Sequence, residues 1–145
     1  MKAVIQRVRR AHVAVDQEIV GSIEHGLLVY LGIGKGDTQQ NLSWLCNKIV
    51  KLRVFADEAG KMNKALGEVG GQLLVVSQFT LLANLHKGNR PSYDDAADPK
   101  EAEVLYEAAL DLFRSMGFVV AGGRFGAHMD VSYTNDGPVT FVLEA

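Results

Sequence analysis

Residues 73–81 read Leu-Leu-Val-Val-Ser-Gln-Phe-Thr-Leu, an apolar run that gives way to hydroxyl and amide side chains. Four apolar residues in succession are typical of a strand that is buried on both faces. Residues 27–33, Leu-Leu-Val-Tyr-Leu-Gly-Ile, have the same character. Both stretches therefore predict interior strands, and the strand within residues 73–81 ends at polar side chains.

Further strands are predicted on either side of these runs, and alternating apolar and polar residues indicate those at residues 3–15 and 129–135. Residues 3–15 alternate, with a bend near Arg9 and Arg10, and a turn then leads into residues 18–23, so these two strands form a hairpin. Further strands are predicted at residues 53–55, 118–120, 129–135 and 139–143. Residues 62–71 are predicted to be irregular.

Two helices are predicted between the strands. The first carries apolar residues at helical spacing, namely Leu42, Leu45, Ile49 and Leu52. Asp37 and Thr38 are its candidate caps. The second begins at Asp98, with Pro99 in the first helical position and Glu101 placed to complete a capping box.

Seven or eight strands with two inserted helices predict an α+β fold. We expect a curved, mostly antiparallel sheet or β-barrel-like core with the two helices packed on it, forming one domain over residues 1–145. The net charge of −2 argues against a broad nucleic-acid-coating surface but leaves room for a local basic patch. A single cysteine, Cys46, and the lack of an apolar leader or spanning segment predict a cytoplasmic protein away from the membrane.

The polar residues that follow the predicted strand at residues 73–76 have two interpretations. The hydroxyl groups of Ser77 and Thr80 can simply satisfy local backbone groups at a strand end. Alternatively, Ser77, Gln78 and Thr80 line a pocket in which the backbone N–H groups of Phe79 and Thr80 hold a developing oxyanion. Thr80 is a weak candidate nucleophile, because no histidine or lysine stands near it in the sequence to activate it.

Two loops carry further candidate sites. Residues 135–138, Asn-Asp-Gly-Pro, are the residues of a hairpin turn. A cis Gly137–Pro138 bond would instead direct two carbonyl groups to one side, as acceptors for an ammonium group. In residues 87–93, Lys87 and Arg90 belong either to a solvated loop or to a phosphate clamp, with Tyr93 as a stacking surface.

The sequence gives no reason to expect a metal or cofactor. The four histidines are scattered along the chain, and none shares ligand spacing with Cys46, which we expect in the core.

Three motifs together resemble the signatures of the D-aminoacyl-tRNA deacylase family: residues 77–81 (Ser-Gln-Phe-Thr-Leu), 87–92 (Lys-Gly-Asn-Arg-Pro-Ser) and 135–140 (Asn-Asp-Gly-Pro-Val-Thr). Residues 1–8 are similar to the start of that family as well. The resemblance implies a homodimer with a β-barrel-like fold that hydrolyses the ester between a D-amino acid and the 3′ end of tRNA. Its partners would be the tRNA acceptor end and a second copy of the chain.

The resemblance also implies roles for individual residues. A cis Gly137–Pro138 unit, with Asn135 in the same motif, would enter the partner's pocket, hold the α-amino group and exclude an L side chain. Arg7 would brace this turn. The implied catalytic lining is Ser77, Gln78, Phe79 and Thr80, the residues implied near the terminal adenosine are Phe125 and Met129, and the implied tRNA contacts are Lys87 and Arg90.

Several alternatives remain open at this point. The ribose 2′-OH beside the ester could supply the missing activation, and glycyl-tRNA is a plausible second substrate. The competing functions are a non-catalytic RNA-end or nucleotide-binding domain, a general esterase or peptidase with Thr80 as nucleophile, and a structural dimer in which the Gly-Pro turn is only an interface element.

Overall fold

The computed structural model describes residues 1–86 and 88–145. In the part of the chain that it describes, eight strands, two α-helices and two short 3₁₀ helices follow one another. The strands are β1 (Lys2–Val15), β2 (Glu18–Ile23), β3 (Gly26–Gly32), β4 (Phe55–Ala56), β5 (Met62–Lys64), β6 (Gln72–Ser77), β7 (Val120–Gly122) and β8 (Asp130–Glu144). The helices are α1 (Gln39–Val50) and α2 (Pro99–Ser115), and the 3₁₀ helices are Leu66–Val69 and Phe79–Leu82.

Strand β1 organises the main sheet, whose order is β2-β1-β3-β6-β7 with β8 also paired to β1. The three partners of β1 run antiparallel to it, whereas β3–β6 and β6–β7 are parallel pairs. The parallel pairing places Leu28 opposite Leu74. The prediction of two interior strands is therefore confirmed, and their continuous apolar sequences follow from cover on both faces.

A close approach between β2 and β7 nearly closes the sheet into a barrel. A Cβ atom on Gly21 would lie 2.4 Å from the carbonyl oxygen of Gly122, so the two backbones meet where neither residue has a side chain. Glycine in a strand commonly marks such an approach. The predicted α+β fold, with a barrel-like sheet and two packed helices, is thereby confirmed.

The two faces of the sheet bury separate apolar clusters, because successive strand residues point to opposite sides. One cluster lies under the helices and includes Leu27 and Val29 together with Cys46 of α1. Burial leaves Cys46 only 1% exposed and raises its thiol pKa to about 12, so the prediction of a core cysteine is confirmed. The other cluster includes Val8 and Leu28 and lies on the opposite face.

The predicted hairpin turn at residues 135–138 is wrong. Strand β8 continues through this segment without reversing, and both of its halves pair with β1, as in Ala11 opposite Tyr133 and Val4 opposite Val142. The register advances by two residues on β1, from Gln6 to Val8, but by five on β8. The segment therefore bulges out of a continuous strand, because both flanks find the same long partner and the turn residues only set the local shape.

Smaller differences concern the helix ends and the segment between α1 and β6. Residues 62–71 are not irregular, since they contain β5 and a 3₁₀ helix. Asp98 caps α2 by accepting from the N–H of Lys100, so Glu101 does not complete the predicted capping box. Thr38 caps α1, whereas Asp37 accepts from the Gly34 N–H and from the Met1 ammonium, each at 2.6 Å.

In the described ranges, no helix has the length and apolar character needed to cross a membrane.

Candidate active site at the end of strand β6

A cavity of about 570 Å³ opens where β6 ends and the 3₁₀ helix Phe79–Leu82 begins. The N–H of Gln78 donates to the Leu31 carbonyl oxygen at 2.8 Å, which ties this junction to β3. Residues from the start of α2 and from the segment before β8 complete the walls. Among the lining residues are Ser77, Gln78, Phe79, Tyr93, Phe125 and Met129.

Aromatic rings form part of the apolar cavity wall. Phe79 is 55% exposed and meets Tyr93 edge to face, with ring centroids 4.9 Å apart. Phe125 rests against Tyr106, with centroids 5.9 Å apart. An exposed pair of rings at a cavity mouth offers a surface to a flat or apolar ligand.

Tyr106 fixes the wall behind Phe125 and is a functional residue that the sequence analysis missed. Its hydroxyl donates to the Val75 carbonyl oxygen at 2.9 Å and accepts from the Gly123 N–H at 3.0 Å. Burial raises its pKa to about 12, so the hydroxyl stays neutral and acts as a structural link. No local sequence pattern indicates this link, because Tyr106 and its two hydrogen-bond partners are distant in the chain.

Backbone donors lie at the rim of the cavity. Phe79 and Thr80 are the first two residues of the 3₁₀ helix, so their N–H groups have no acceptor within that helix. The side chain of Gln78 stands at the cap position but does not cap the helix. The two N–H groups that the sequence predicted as oxyanion donors are therefore at the helix end beside the cavity.

The Thr80 hydroxyl does not meet a catalytic base in the described part of the chain. Its oxygen accepts a hydrogen bond from the amide nitrogen of Gln78. An amide does not take up a proton at ordinary pH, so this contact orients the hydroxyl without activating it. Thr80 also stands outside the residues that line the cavity.

The Gly137–Pro138 segment forms a second site. Its peptide bond is cis, and both residues are exposed at the top of the β8 bulge. Gly137 has a φ of +129°, and a Cβ there would lie 2.6 Å from Cγ2 of Val139 and 2.9 Å from its backbone nitrogen. Only glycine fits this position without moving the neighbouring backbone.

Hydrogen bonds from β1 fix the base of the bulge. Arg7 places Nε 3.0 Å from Oδ2 of Asp136 and donates through Nη1 to the Val54 carbonyl oxygen. Arg9 places Nε 3.1 Å from Oδ1 of Asp136. Asn135 donates to the carbonyl oxygens of Arg7 and Val139, at 3.0 and 3.1 Å. Asp136 thus joins two arginines directly below Gly137.

The structure divides the predicted site residues into two groups. Ser77, Gln78, Phe79, Phe125 and Met129 meet around the cavity. The second group belongs to the β8 bulge and to the arginine that bonds to its base, and it does not line the cavity of its own chain. Its members are Arg7, Asn135, Gly137 and Pro138.

The remaining predicted contacts lie on the loop after the 3₁₀ helix. Arg90 is exposed between Asn84 and Ser92, which form an isolated antiparallel bridge. Lys87, the other predicted tRNA contact, lies outside the described residues. Tyr93, which the sequence suggested as a stacking surface, packs against Phe79 at the cavity mouth. Across residues 1–86 and 88–145, no cluster of three or more His, Cys, Asp or Glu side chains is placed to hold a metal ion.

An apolar cavity with backbone donors at its rim suits hydrolysis at a carbonyl group, since such donors stabilise the charge that develops on the carbonyl oxygen. Comparison with known proteins places the chain among hydrolases of this kind. The model of the family described as D-Tyr-tRNA(Tyr) deacylase matches residues 4–144. The chain belongs to the D-Tyr-tRNA(Tyr) deacylase family, as its three motifs indicated.

Similar proteins from several bacteria carry the name D-aminoacyl-tRNA deacylase. The chain is 54% identical to one from Geobacter metallireducens, over 100% of this chain and 96% of the relative. It is 56% identical to one from Geotalea daltonii, over 99% and 96%. It is 48% identical to one from Thermotoga petrophila, over 100% and 97%.

Two solved structures share the fold over nearly the whole chain. A protein named c-Myc DNA Unwinding Element Binding Protein superposes with a TM-score of 0.94 at 43% identity, covering 100% of this chain and 99% of that one. A structure described as a probable eukaryotic D-amino acid tRNA deacylase has a TM-score of 0.82 at 16% identity, covering 98% and 97%. At 16% identity, the similarity to the second structure shows a common fold alone.

Proposed function

We propose that the chain hydrolyses the ester that joins a D-amino acid to the 3′ end of tRNA and leaves L-aminoacyl-tRNA intact. The observation that carries this proposal is the cavity at the end of β6, lined by Ser77, Gln78 and Phe79, in a chain that the deacylase family model matches over residues 4–144. Such an enzyme recycles tRNA that carries the wrong enantiomer.

In the proposed reaction, water attacks the ester carbonyl and the tRNA 3′ oxygen leaves. The N–H groups of Phe79 and Thr80 stabilise the negative charge on the carbonyl oxygen, since both lack an acceptor within their helix. Ser77 and Gln78 provide polar contacts around the ester, and the Thr80 hydroxyl, which stands outside the cavity lining, holds the Gln78 amide. Phe125 and Met129 hold the terminal adenosine against the apolar wall of the cavity.

The ribose 2′-OH supplies the activation that the described side chains do not. It lies beside the ester in every aminoacyl-tRNA, so the protein needs only to orient it toward the attacking water or the developing oxyanion. Thr80 meets the amide of Gln78 rather than a base, which supports assistance from the substrate over a threonine nucleophile.

Chiral selection is assigned to Gly137 and Pro138 of a partner subunit in a homodimer. The bulge is exposed and lies away from the cavity of its own chain, so a second copy is needed to bring the two sites together. Strand β8 also exposes apolar side chains, since Phe141 is 37% and Val142 62% exposed. A rigid segment that occupies the space of an L side chain rejects the L ester by steric overlap.

Three extensions belong to the same proposal. Glycine carries no side chain to exclude, so glycyl-tRNA is a second substrate. The exposed guanidinium of Arg90, together with Lys87, contacts the tRNA, and the enzyme works in the cytoplasm, where aminoacyl-tRNA is used.

Replacing the terminal ribose by 2′-deoxyribose in D-tyrosyl-tRNA tests the catalytic part of the proposal. We expect turnover to fall by at least about 100-fold while the affinity for the substrate changes little, since a positioned group acts mainly in the transition state. Single-turnover release of D-tyrosine and a competition binding assay measure the two quantities. Full turnover of the deoxy substrate contradicts assistance by the 2′-OH.

A further inference from the structure

Charge is distributed unevenly between the two helices. Residues 38–56, which contain α1, hold three cations and no Asp or Glu, although the chain as a whole has a net charge of −2. Residues 94–111, which contain most of α2, hold seven carboxylates and one lysine. Both helices pack against the same apolar cluster of the sheet. The α1 flank of the helical layer is therefore cationic, and the adjoining α2 flank is anionic.

The cationic flank consists of Lys48, Lys51 and Arg53, and all three are exposed. None of the ion pairs found among the described residues involves them. Arg53 is oriented by its Nε, which donates to the Asn63 carbonyl oxygen at 2.7 Å.

The acidic residues nearest in sequence are already engaged. Glu58 pairs with Lys64, and this hydrogen bond holds the pKa of the Glu58 carboxyl below its usual value. Asp57 accepts from the backbone N–H groups of Lys61 and Ala59, each at 2.9 Å, and the bond from Lys61 is the main cause that lowers its pKa. These carboxylates do not neutralise the cationic flank.

A single side chain connects the cationic flank to the bulge. The carbonyl oxygen of Val54, the residue after Arg53, accepts from Nη1 of Arg7. The Nε of the same guanidinium lies 3.0 Å from Asp136, next to Gly137. Arg9, whose side chain is 73% exposed, also meets Asp136 and extends the positive potential along β1. The flank and the bulge are thus direct neighbours.

We propose that the cationic flank binds phosphates of the tRNA acceptor arm while the bulge closes over the aminoacyl ester. This inference rests on the proposed function, because it needs the tRNA 3′ end at the bulge. Lys48 and Lys51 lie on one face at the end of α1, about 4.5 Å apart along the helix axis. Their side chains can therefore reach successive phosphates of one RNA strand. The anionic flank of α2 repels the RNA backbone, so the two flanks together set the direction in which the acceptor arm leaves the site.

A purely structural role accounts for only part of this pattern. A lysine in the last turn of α1, such as Lys48, interacts favourably with the helix dipole. That effect gives no reason for the additional exposed cations or for the absence of carboxylates over residues 38–56.

The test compares the double variant Lys48→Gln/Lys51→Gln with Lys100→Gln, which removes the single lysine of the anionic flank. Binding of uncharged tRNA(Tyr) is measured by fluorescence anisotropy over a series of salt concentrations. Hydrolysis of D-tyrosyl-adenosine, which carries the ester but no phosphates, is followed for the wild type and both variants. Circular dichroism shows whether each variant is folded.

We expect the dependence of log Kd on log salt to become shallower by about one for each lysine removed from the cationic flank. Lys100→Gln keeps the wild-type slope, and all three proteins hydrolyse D-tyrosyl-adenosine equally. An unchanged slope in the double variant, or an equal change in Lys100→Gln, overturns the inference. If the wild type hydrolyses no D-tyrosyl ester while the slopes still differ, the proposed function fails and the binding surface stands.

Discussion

At the scale of single residues, Asp136 is the group on which the geometry of the bulge depends. Its two carboxylate oxygens lie 3.0 and 3.1 Å from the Nε atoms of Arg7 and Arg9. The Arg7 side chain is only 13% exposed, so its charge is poorly solvated and needs this partner. Arg9 is 73% exposed, and water screens its interaction.

Substitution Asp136→Asn therefore tests whether the brace positions the bulge. Asparagine keeps the shape but removes the charge that Arg7 requires, so we expect kcat/KM for D-tyrosyl-tRNA to fall about 10-fold, equivalent to about 1.4 kcal/mol. Steady-state deacylation assays give this value.

The matched control is Arg9→Gln, which removes the exposed partner of the same carboxylate. A change of less than about twofold is expected for a screened surface pair. Equal losses in the two variants would show that the buried pair has no special role.

At the scale of secondary-structure elements, the bulge in β8 is a place where local turn preferences and long-range strand pairing favour different structures. The residues of 135–138 have strong turn preferences, and sequence alone favoured a hairpin. Their flanks instead pair with one continuous strand, β1, which is an interaction between residues at least 116 positions apart. No sequence pattern within residues 135–138 indicates that pairing.

Substitution Gly137→Ala tests the bulge as an element. A side chain at φ +129° overlaps with Val139, so we expect the bulge to shift and D-ester hydrolysis to fall by at least about 10-fold, while the free energy of unfolding drops by about 1–3 kcal/mol. Deacylation assays and urea denaturation measure the two effects.

Gly60→Ala provides a control with similar backbone strain, since Gly60 has a φ of +76° and open space around it in the β4–β5 turn. This variant is expected to lose comparable stability and to keep its activity. Normal activity in Gly137→Ala would remove the bulge from the mechanism.

Much of the fold was predictable because the relevant signals are local. The buried strands β3 and β6 stand out as apolar runs, and the bounds of β2 agree with the strand predicted at residues 18–23. The rim residues Ser77, Gln78 and Phe79 could be placed because they end β6 or directly follow it. The brace on Asp136 and the support from Tyr106 could not, because both join residues distant in sequence.

At the scale of the whole molecule, the cavity and the bulge are separate sites on one chain. The proposed homodimer joins them, so each active site takes its cavity from one subunit and its bulge from the other. Mixing of two impaired variants tests this arrangement directly, because a site with neither defect can form only in a heterodimer.

The pair consists of Gly137→Ala, defective in the bulge, and Phe79→Ala, defective in the cavity. Refolded as an equimolar mixture, they are expected to recover about a quarter of wild-type activity, because random pairing leaves one intact site in half of the dimers. Rates measured before and after mixing show the effect. Failure to recover activity, with mixed dimers demonstrated by mass spectrometry, would contradict a shared site.

The most direct test of the central claim is a paired deacylation assay on D-tyrosyl-tRNA and L-tyrosyl-tRNA, each corrected for spontaneous hydrolysis. The two substrates differ only in the configuration of one carbon, so the comparison isolates chiral selection from tRNA binding and ester chemistry. We expect rapid release of D-tyrosine and a rate for the L ester no faster than the uncatalysed one. Equal hydrolysis of both esters would rule out chiral selection and indicate a general esterase.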